Sequence, residues 1–482
     1  MSLLKKLQVP HVFVLLAGVV LVCSLLTFVV PSGVYDSETK IIEGHERTLL
    51  KPGTYTHLEK QFDVGNLLLG KEIETETEKA TPVGLHGFLT AIPRGMERAG
   101  DIIFFIFVVG GVFSILTRTG VITAGLARLL DRFGSSGPAL TMVLMTVLAV
   151  GGSTLGMGEE FIPLVPIFLL VSKKLGYDRI YGMALVMLAA DVGFAASTTN
   201  PFTVCVAQGI AELPLYSGLP LRLVFFVCAL TLAIGYTLRY GAKIKADPSA
   251  SFMPDDKFEI EVSETQEKFN NRHLAILISS TAIFAFILFA TQRFGWWMAD
   301  MAGGFLLMGI VAAIIGKLSV EDSVDAFVVG MRDMVVAALV VGFARGISVV
   351  LEDGQIMHTI VFGAASVLTH VPRYVAAIGM LFFESSLNLL IPSGSGQAAV
   401  TVPLMAPLSD IIGISRQTAV LAFTSGDGFS NTIIPTSGVL MAMLSLAKIP
   451  YGKWVKFMFP LFLMLMGLSS LFLVIAVAID YS

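Results

Sequence analysis

The chain has 482 residues, of which 55% are hydrophobic and 14% are charged, with a mean hydropathy of +0.80. This composition predicts a polytopic membrane protein and argues against a soluble globular domain. The net charge of −4 is small and dispersed, so we expect no nucleic-acid partner. The cysteines and histidines show no metal-ligand spacing and no catalytic motif is present, so we expect no organic cofactor and no enzyme activity.

The N-terminal segment, residues 1–30, holds an apolar stretch from His11 to Val30 that is long enough to cross a bilayer. No small-residue cleavage site follows this stretch, so we expect a retained helix with a cytoplasmic N-terminus. Residues 31–90 are polar and include alternating glutamates at 72–78. They predict an extracytoplasmic loop or small subdomain whose acidic run is a solvated edge.

A span is predicted from about Ile102 to Leu116, followed by an interfacial helix over 121–130. Two short apolar arms, 140–150 and 161–171, then flank a glycine-rich polar tip at 151–160. Basic residues follow the second arm, and this pattern indicates a re-entrant hairpin entered from the cytoplasm. Two ordinary spans joined by a loop are the alternative.

A helix from Ile180 to Ala196 is predicted to break at Ser197 to Pro201 and to continue to about Glu212. The next span, Leu221 to Tyr240, ends beside basic residues and therefore in the cytoplasm. A polar linker, residues 246–272, and two plain spans within 273–316 come next.

The pattern of residues 90–245 recurs over 325–482, at an offset that stays between 234 and 238 positions. Asp191 thereby corresponds to Asp427, and Pro201 to Pro435. Basic residues predominate beside the interfacial segment and the hairpin of the first unit, whereas they do not in the second. The same elements should therefore face opposite sides of the membrane. The sequence predicts an all-α fold of two inverted-topology repeats, an arrangement typical of secondary transporters that bind substrate near the midplane.

Each repeat offers two polar interruptions, a hairpin tip and a broken helix. Carbonyl, hydroxyl and amide oxygens at such breaks suit a bare Na⁺, and half-helix N-termini suit a carboxylate. In the first repeat the predicted substrate- and ion-binding residues are Ser153, Thr154, Gly156, Gly158, Glu159, Glu160, Asp191, Ser197, Thr198, Thr199 and Asn200. In the second they are Ser393, Gly394, Ser395, Gly396, Gln397, Asp427, Ser430, Asn431, Thr432 and Thr436. Alternatively, the glycines only permit close helix packing and the hydroxyls bond to their own helices.

Acidic residues outnumber basic ones within the predicted spans. The predicted spans contain one clearly intramembrane cation, Arg345, and five acidic residues, which are Asp191, Asp427, Glu159, Glu160 and Glu384. Such residues usually line a cavity, and this excess favours a cationic amino acid over a pure dicarboxylate. Alternatively, Arg345 pairs structurally with Glu384, or the acids relay protons.

The chain resembles the DcuC-like, YfcC-type carriers of the ion-transporter superfamily. The resemblance rests on the order of hairpins and broken helices and on two segments, Gly-Met-Gly-Glu-Glu-Phe at 156–161 and Ser-Asn-Thr-Ile-Ile-Pro-Thr-Ser-Gly at 430–438. The resemblance covers nearly the whole chain. It implies a homodimeric secondary transporter of the bacterial inner membrane that works by elevator-like alternating access. Driven by Na⁺ or H⁺ or by exchange, such carriers move dicarboxylates, citrate, short-chain acids or basic amino acids. In the first repeat the run Ser197-Thr198-Thr199-Asn200 departs from the Ser-Asn-Thr form of the second repeat. An ion channel is the alternative function to a carrier.

Overall fold

The computed structural model describes residues 12–42, 45–70, 79–122, 124, 125, 128, 137–254, 256, 258, 269–296 and 298–482. Across these residues the chain is mainly helical. Eight of the described helices are long and apolar enough to cross a membrane. The prediction of a polytopic helical membrane protein is therefore confirmed.

The N-terminal region consists of one span and a small mixed subdomain. Its elements are α1 (Val12–Val29), β1 (Ser32–Val34), β2 (Ser37–Ile42), β3 (His45–Leu50), β4 (Thr56–Lys60), α2 (Val64–Leu69) and β5 (Lys79–Ala80). β2 and β3 form an antiparallel hairpin, while β4 pairs antiparallel with β1 and parallel with β5. These short strands lie in the segment predicted as a loop or small subdomain, where the sequence lacks the apolar period of 3.6 residues that is typical of a helix. The acidic run at 72–78 lies outside the described residues.

The stretch predicted as the first repeat starts with a short helix and ends with a long one. Its elements are α3 (Leu85–Arg98), α4 (Gly100–Arg118), α5 (Gly137–Leu155), a 3-10 turn (Glu159–Leu164), α6 (Val165–Lys174), α7 (Arg179–Met183), a π-helical turn (Ala184–Leu188), α8 (Ala189–Ala195), a second π-helical turn (Pro201–Cys205), α9 (Val206–Ile210) and α10 (Leu219–Ala246). The predicted interfacial helix at 121–130 lies largely outside the described residues.

A 3-10 turn (Pro248–Ala250) in the linker precedes two plain helices, α11 (Asn271–Phe294) and α12 (Met298–Gly316). The order of the first repeat then recurs. Its elements are α13 (Val320–Asp333), α14 (Val335–Asp353), α15 (Met357–Leu368), α16 (Arg373–Asn388), α17 (Gly394–Ile412), α18 (Arg416–Ser430), α19 (Gly438–Ala447) and α20 (Tyr451–Ala478). Helix interruptions lie where the sequence predicts them, at 196–200 and at 431–437.

The tip of the first hairpin is shorter than predicted. Helix α5 continues through Gly151 and Gly152 to Leu155, so the turn itself is only Gly156 to Gly158. Gly152 serves close packing instead, because a Cβ at this position would lie 2.4 Å from the carbonyl oxygen of Ala190 on α8. In the second hairpin, α17 already begins at Gly394, so the predicted tip residues 394–397 form its first turn.

The two broken helices form the centre of the molecule. α18 is buried from Gln417 to Ser430, and the helix of α7 and α8 is buried almost throughout. The two helices pack against each other where Gly428 meets Ala195. The short first helix of each repeat crosses to the other repeat, since α3 packs on α14 and α13 packs on α4. The repeats are therefore interlocked around a helix pair that is buried on every side.

Candidate functional site

A cavity of about 240 Å³ lies where the hairpin tips and the helix breaks of both repeats meet. The predicted site residues that line it are Gly156, Gly158, Glu159, Glu160, Asp191, Ser393, Gly394, Ser395, Asn431 and Arg345. Ligand pockets for drug-sized molecules usually measure about 300–1,000 Å³, so this cavity suits a smaller solute. Interrupted helices from both repeats thus enclose one polar chamber, which is the arrangement expected for a carrier's binding site.

The first break is bonded to the end of the first hairpin arm through Ser153. The Ser153 carbonyl accepts hydrogen bonds from the backbone amides of Thr198 and Thr199, at 3.1 and 3.2 Å. The hydroxyl groups of Ser153 and Thr198 are 3.0 Å apart. The Asn200 side chain caps the next half-helix by accepting from the amide of Phe202 at 2.8 Å. These polar residues therefore hold the break in place, and most of them lie behind the cavity wall.

The second break is bonded to its hairpin arm through Asn388, which the sequence reasoning missed. Its Nδ2 donates to the carbonyl of Asp427 at 2.7 Å, to Ser430 Oγ at 2.8 Å and to Asn431 Oδ1 at 2.9 Å. Asn388 lies 235 positions after Ser153, within the repeat offset of 234 to 238. Applying that range to Ser153 gives residues 387–391, and Asn388 is the only amide side chain among them.

Two aromatic residues of α20 satisfy carbonyl groups that the second break exposes. Trp454 Nε1 donates to the carbonyl of Thr432 at 2.8 Å, and the Tyr451 hydroxyl donates to that of Ile433 at 2.6 Å. Such carbonyl groups are predicted ligands of Na⁺. In this structure a protein donor already bonds to each of these two, so only the second lone pair of each oxygen would be left for a coupling Na⁺.

The charged groups of the cavity are mostly acidic. Asp101, Glu159, Glu160 and Asp191 face it, together with Arg98 and Arg345. Arg98 forms an ion pair with Glu352. Arg345 forms no hydrogen bond or ion pair with any residue in the described part of the chain. Arg345 does interact electrostatically with Glu159. Because this half-buried guanidinium group makes no hydrogen bond within the described residues, its N–H groups are suited to bind a carboxylate of the solute.

Glu384 has a partner other than Arg345. Gln397 Nε2 donates to Glu384 Oε2 at 2.6 Å, and the same nitrogen donates to the Glu384 carbonyl at 2.9 Å. Both side chains are buried and neither lines the cavity. The pair therefore joins α16 to the first turn of α17 next to the tip of the second hairpin.

Several predicted site residues lie outside the cavity lining, and several lining residues were not predicted. Those outside are Ser153, Thr154, Ser197, Thr198, Thr199, Asn200, Gly396, Gln397, Asp427, Ser430, Thr432, Thr436 and Glu384. The unpredicted lining includes Arg98, Asp101, Phe194, Phe202, Val341 and Ser437. Arg98 and Asp101 lie at the junction of α3 and α4, a position that gave no polar-break signal in the sequence.

Span-length helices around a polar chamber built from helix interruptions define a membrane carrier. Residues 9–478 match the model of the DcuC family, described as C4-dicarboxylate anaerobic carriers. The chain therefore belongs to this family. The predicted resemblance is confirmed, and the protein is a membrane transporter.

Two relatives match almost end to end. YfcC of Escherichia coli K12, named provisionally as a basic amino acid antiporter, is 33% identical over 473 residues, which cover 94% of this chain and 93% of YfcC. An uncharacterized protein of Haemophilus influenzae is 31% identical over 500 residues, which cover 98% of each chain.

Two solved transporters align over nearly the whole length. The YdaH transporter of Alcanivorax borkumensis is 18% identical, with a TM-score of 0.45, over 98% of this chain and 99% of its own. MtrF of Neisseria gonorrhoeae, described within a class of antimetabolite efflux pumps, is 16% identical, with a TM-score of 0.42, over 98% and 96%.

Proposed function

We propose that this chain is a secondary active transporter that exchanges amino acids with cationic side chains across the bacterial inner membrane. The observation that carries the proposal is the cavity, which four carboxylates line together with the Arg345 guanidinium group, and this group makes no hydrogen bond within the described residues. A zwitterion with an additional cationic group has charges of both signs for such a chamber. The provisional name of the YfcC relative points to the same substrate class.

The substrate carboxylate has two candidate partners on the second repeat. Arg345 of α14 lies on one side, and the N-terminus of α17, at Gly394 and Ser395, lies on another. A helix N-terminus carries partial positive charge and attracts anions. The substrate ammonium and its cationic side chain would then face Glu159, Glu160 and Asp191.

A second candidate is a symporter for C4-dicarboxylates or short-chain organic acids. The family description and the guanidinium group of Arg345 in the cavity lining favour this alternative. It requires that most cavity acids be neutralised, because four ionised carboxylates would repel a dianion. Coupled protons or Na⁺ could provide this neutralisation, so the two candidates differ in their dependence on an ion gradient.

The movement that we propose is elevator-like. The hairpins and broken helices would shift as one body against a scaffold that includes α4 and α11 to α13, within a homodimer whose N-termini are cytoplasmic. Support comes from the packing of α4 with α12 and α13, which joins these helices into one layer beside the cavity. The coupling ion of this scheme is Na⁺ or H⁺, or the counter-substrate itself.

The test is counterflow in proteoliposomes. Vesicles loaded with unlabelled arginine should accumulate labelled external arginine, and those loaded with buffer should not. Asp191→Asn should abolish the accumulation, whereas Glu321→Gln, at an exposed position of α13, should leave it unchanged. Accumulation of labelled succinate but not arginine would favour the second candidate. Single-channel currents in planar bilayers would contradict a carrier.

A further inference from the structure

Asp427 lies directly behind the cavity wall and is fully buried. It does not line the cavity, but Gly394, which does, covers it. A Cβ built on Gly394 would lie 3.2 Å from Asp427 Oδ2. A single glycine at the start of α17 therefore separates this carboxyl group from the chamber.

Neither carboxyl oxygen of Asp427 has a hydrogen-bond partner in the described structure. The same Cβ position on Gly394 would lie 2.8 Å from the Thr203 methyl group and 3.6 Å from Phe194 Cζ, so Gly394 is tightly packed at this point. The Asp427 carboxyl group therefore caps no helix end, and it does not reach a solute in the cavity. An ionised carboxylate in such a place would be strongly destabilised.

In the described part of the chain no cation forms an ion pair with Asp427. The titratable and charged groups on the described elements packed around α18 are Arg373, Tyr374, Glu384, Asp191, Cys205, Arg222, Asp410, Tyr451, Lys453 and Lys456. Glu384 and Asp191 are the two that interact electrostatically with Asp427, and both are acidic. The Arg222 guanidinium instead contacts Thr424, one turn earlier on α18.

We propose that Asp427 is a proton-binding site that couples proton movement to opening of the second hairpin tip. In the closed arrangement seen here the group is a neutral carboxylic acid. When its O–H bond breaks, the electron pair stays on the oxygen and the proton passes to water. The resulting carboxylate must be hydrated, so Gly394 has to move away and open the chamber wall. Proton binding thus favours the closed tip.

A sodium site fits these surroundings less well than a proton. Na⁺ in broken-helix carriers is coordinated by several carbonyl and hydroxyl oxygens. No hydroxyl or amide group of the described residues forms a hydrogen bond with either carboxyl oxygen of Asp427. The Asp427 carbonyl already accepts hydrogen bonds from Asn388 and Ser430.

Infrared spectroscopy of the reconstituted protein, without any solute and without Na⁺, tests the protonation directly. The wild type should show a protonated-carboxyl band at neutral pH that Asp427→Asn removes. Glu384→Gln, which changes another buried acid of the same region, should leave this band in place. A spectrum unchanged by Asp427→Asn would overturn the proposal. So would a band that added NaCl removes at constant pH.

If Asp427→Asn does not fold, protein labelled with ¹³C at its aspartate carboxyl groups and carrying Asp191→Asn decides the question. An isotope-shifted protonated-carboxyl band should persist in this variant, and its absence would overturn the proposal. The labelled protein needs no change at Asp427 itself.

The coupling rests on the proposed transport function, and arginine counterflow tests it separately. The wild-type rate should depend on pH, and in Asp427→Asn the pH profile should become flat at whatever rate remains. A profile of unchanged shape would overturn the coupling. If the wild type shows the infrared band but no arginine counterflow, the proposed substrate fails while the proton site stands.

Discussion

The guanidinium group of Arg416 donates a hydrogen bond to the carbonyl oxygen of Ala211 at 2.9 Å, which links the start of one broken helix to the end of the other. The equivalent contact with the two repeats exchanged is also present, since Arg179 Nη1 donates to the carbonyl of Ala447 at 3.3 Å. The arginines are 237 positions apart and the alanines 236. One chain thus forms the same long-range contact twice, as a duplicated and interlocked unit would.

The two contacts differ in their surroundings. Arg179 is 7% exposed, pairs with Asp256 of the linker at 2.5 Å and lies over the Phe258 ring. Arg416 is more exposed and pairs with Asp410 and Glu212. The inversion of the repeats stays a prediction.

We expect Arg179→Ala to destabilise the protein more than Arg416→Ala. Removing one partner of a buried ion pair costs about 3 kcal/mol or more, whereas exposed pairs contribute about 1 kcal/mol or less. The unfolding temperature in detergent should fall clearly for Arg179→Ala and slightly for Arg416→Ala. Equal decreases would mean that the linker contact of Arg179 adds nothing.

Trp454→Phe should destabilise the second break. The phenyl ring fills most of the same buried space but leaves the Thr432 carbonyl without its donor, at a cost of about 1–3 kcal/mol. The control is Trp296→Phe, in which the half-buried ring packs edge-on against Phe286. Thermal unfolding of both variants checks the prediction. A loss confined to Trp296→Phe would contradict it.

Gly156→Ala should disrupt the first tip, and Gly158→Ala should be tolerated. Gly156 has a φ of +69°, and a Cβ would lie 2.4 Å from Asn200 Oδ1, which caps the next half-helix. The backbone conformation alone costs about 1–2 kcal/mol. A Cβ on Gly158 meets nothing within 4 Å. The unfolding temperatures of the two variants test this prediction. Similar values for both would show that the tip accommodates a side chain at Gly156 without loss of stability.

The sequence predicts the spans and the interruptions of this chain well, because lipid imposes strong rules on apolar length and backbone satisfaction. The duplication also predicts that equivalent groups meet, as they do around Ser153 and Asn388. The sequence predicts poorly the direction in which a side chain points. Thr198 and Asp427 lie in the predicted polar clusters, yet both point into packed protein rather than into the cavity.

Contributions from distant segments are also hidden in the sequence. Asp101 lies in the first turn of α4, over fifty residues before the first hairpin tip, and lines the same cavity. Trp454 supplies a hydrogen bond to a break 22 positions earlier, and a tryptophan in an apolar span gives no sign of that role. Tertiary packing alone brings these groups to the site.

Arg345→Ala should weaken transport of arginine but not that of agmatine, which has the guanidinium and ammonium groups but lacks the carboxylate. In the proposed binding mode Arg345 binds that carboxylate, and loss of one charge-assisted hydrogen-bonding partner costs about 1.5–3 kcal/mol. This corresponds to roughly a ten- to hundredfold increase in KM. Arg373→Ala, at an exposed position of α16, is the matched control and should change neither KM.

The outcome separates a binding role from a structural one. Competition of each compound with labelled arginine in counterflow gives the two affinities without requiring that agmatine itself be transported. If Arg345→Ala lowers both affinities equally, the residue shapes the chamber instead of contacting the carboxylate. If neither affinity changes, the carboxylate binds elsewhere, and the N-terminus of α17 at Gly394 becomes the remaining candidate among the described residues.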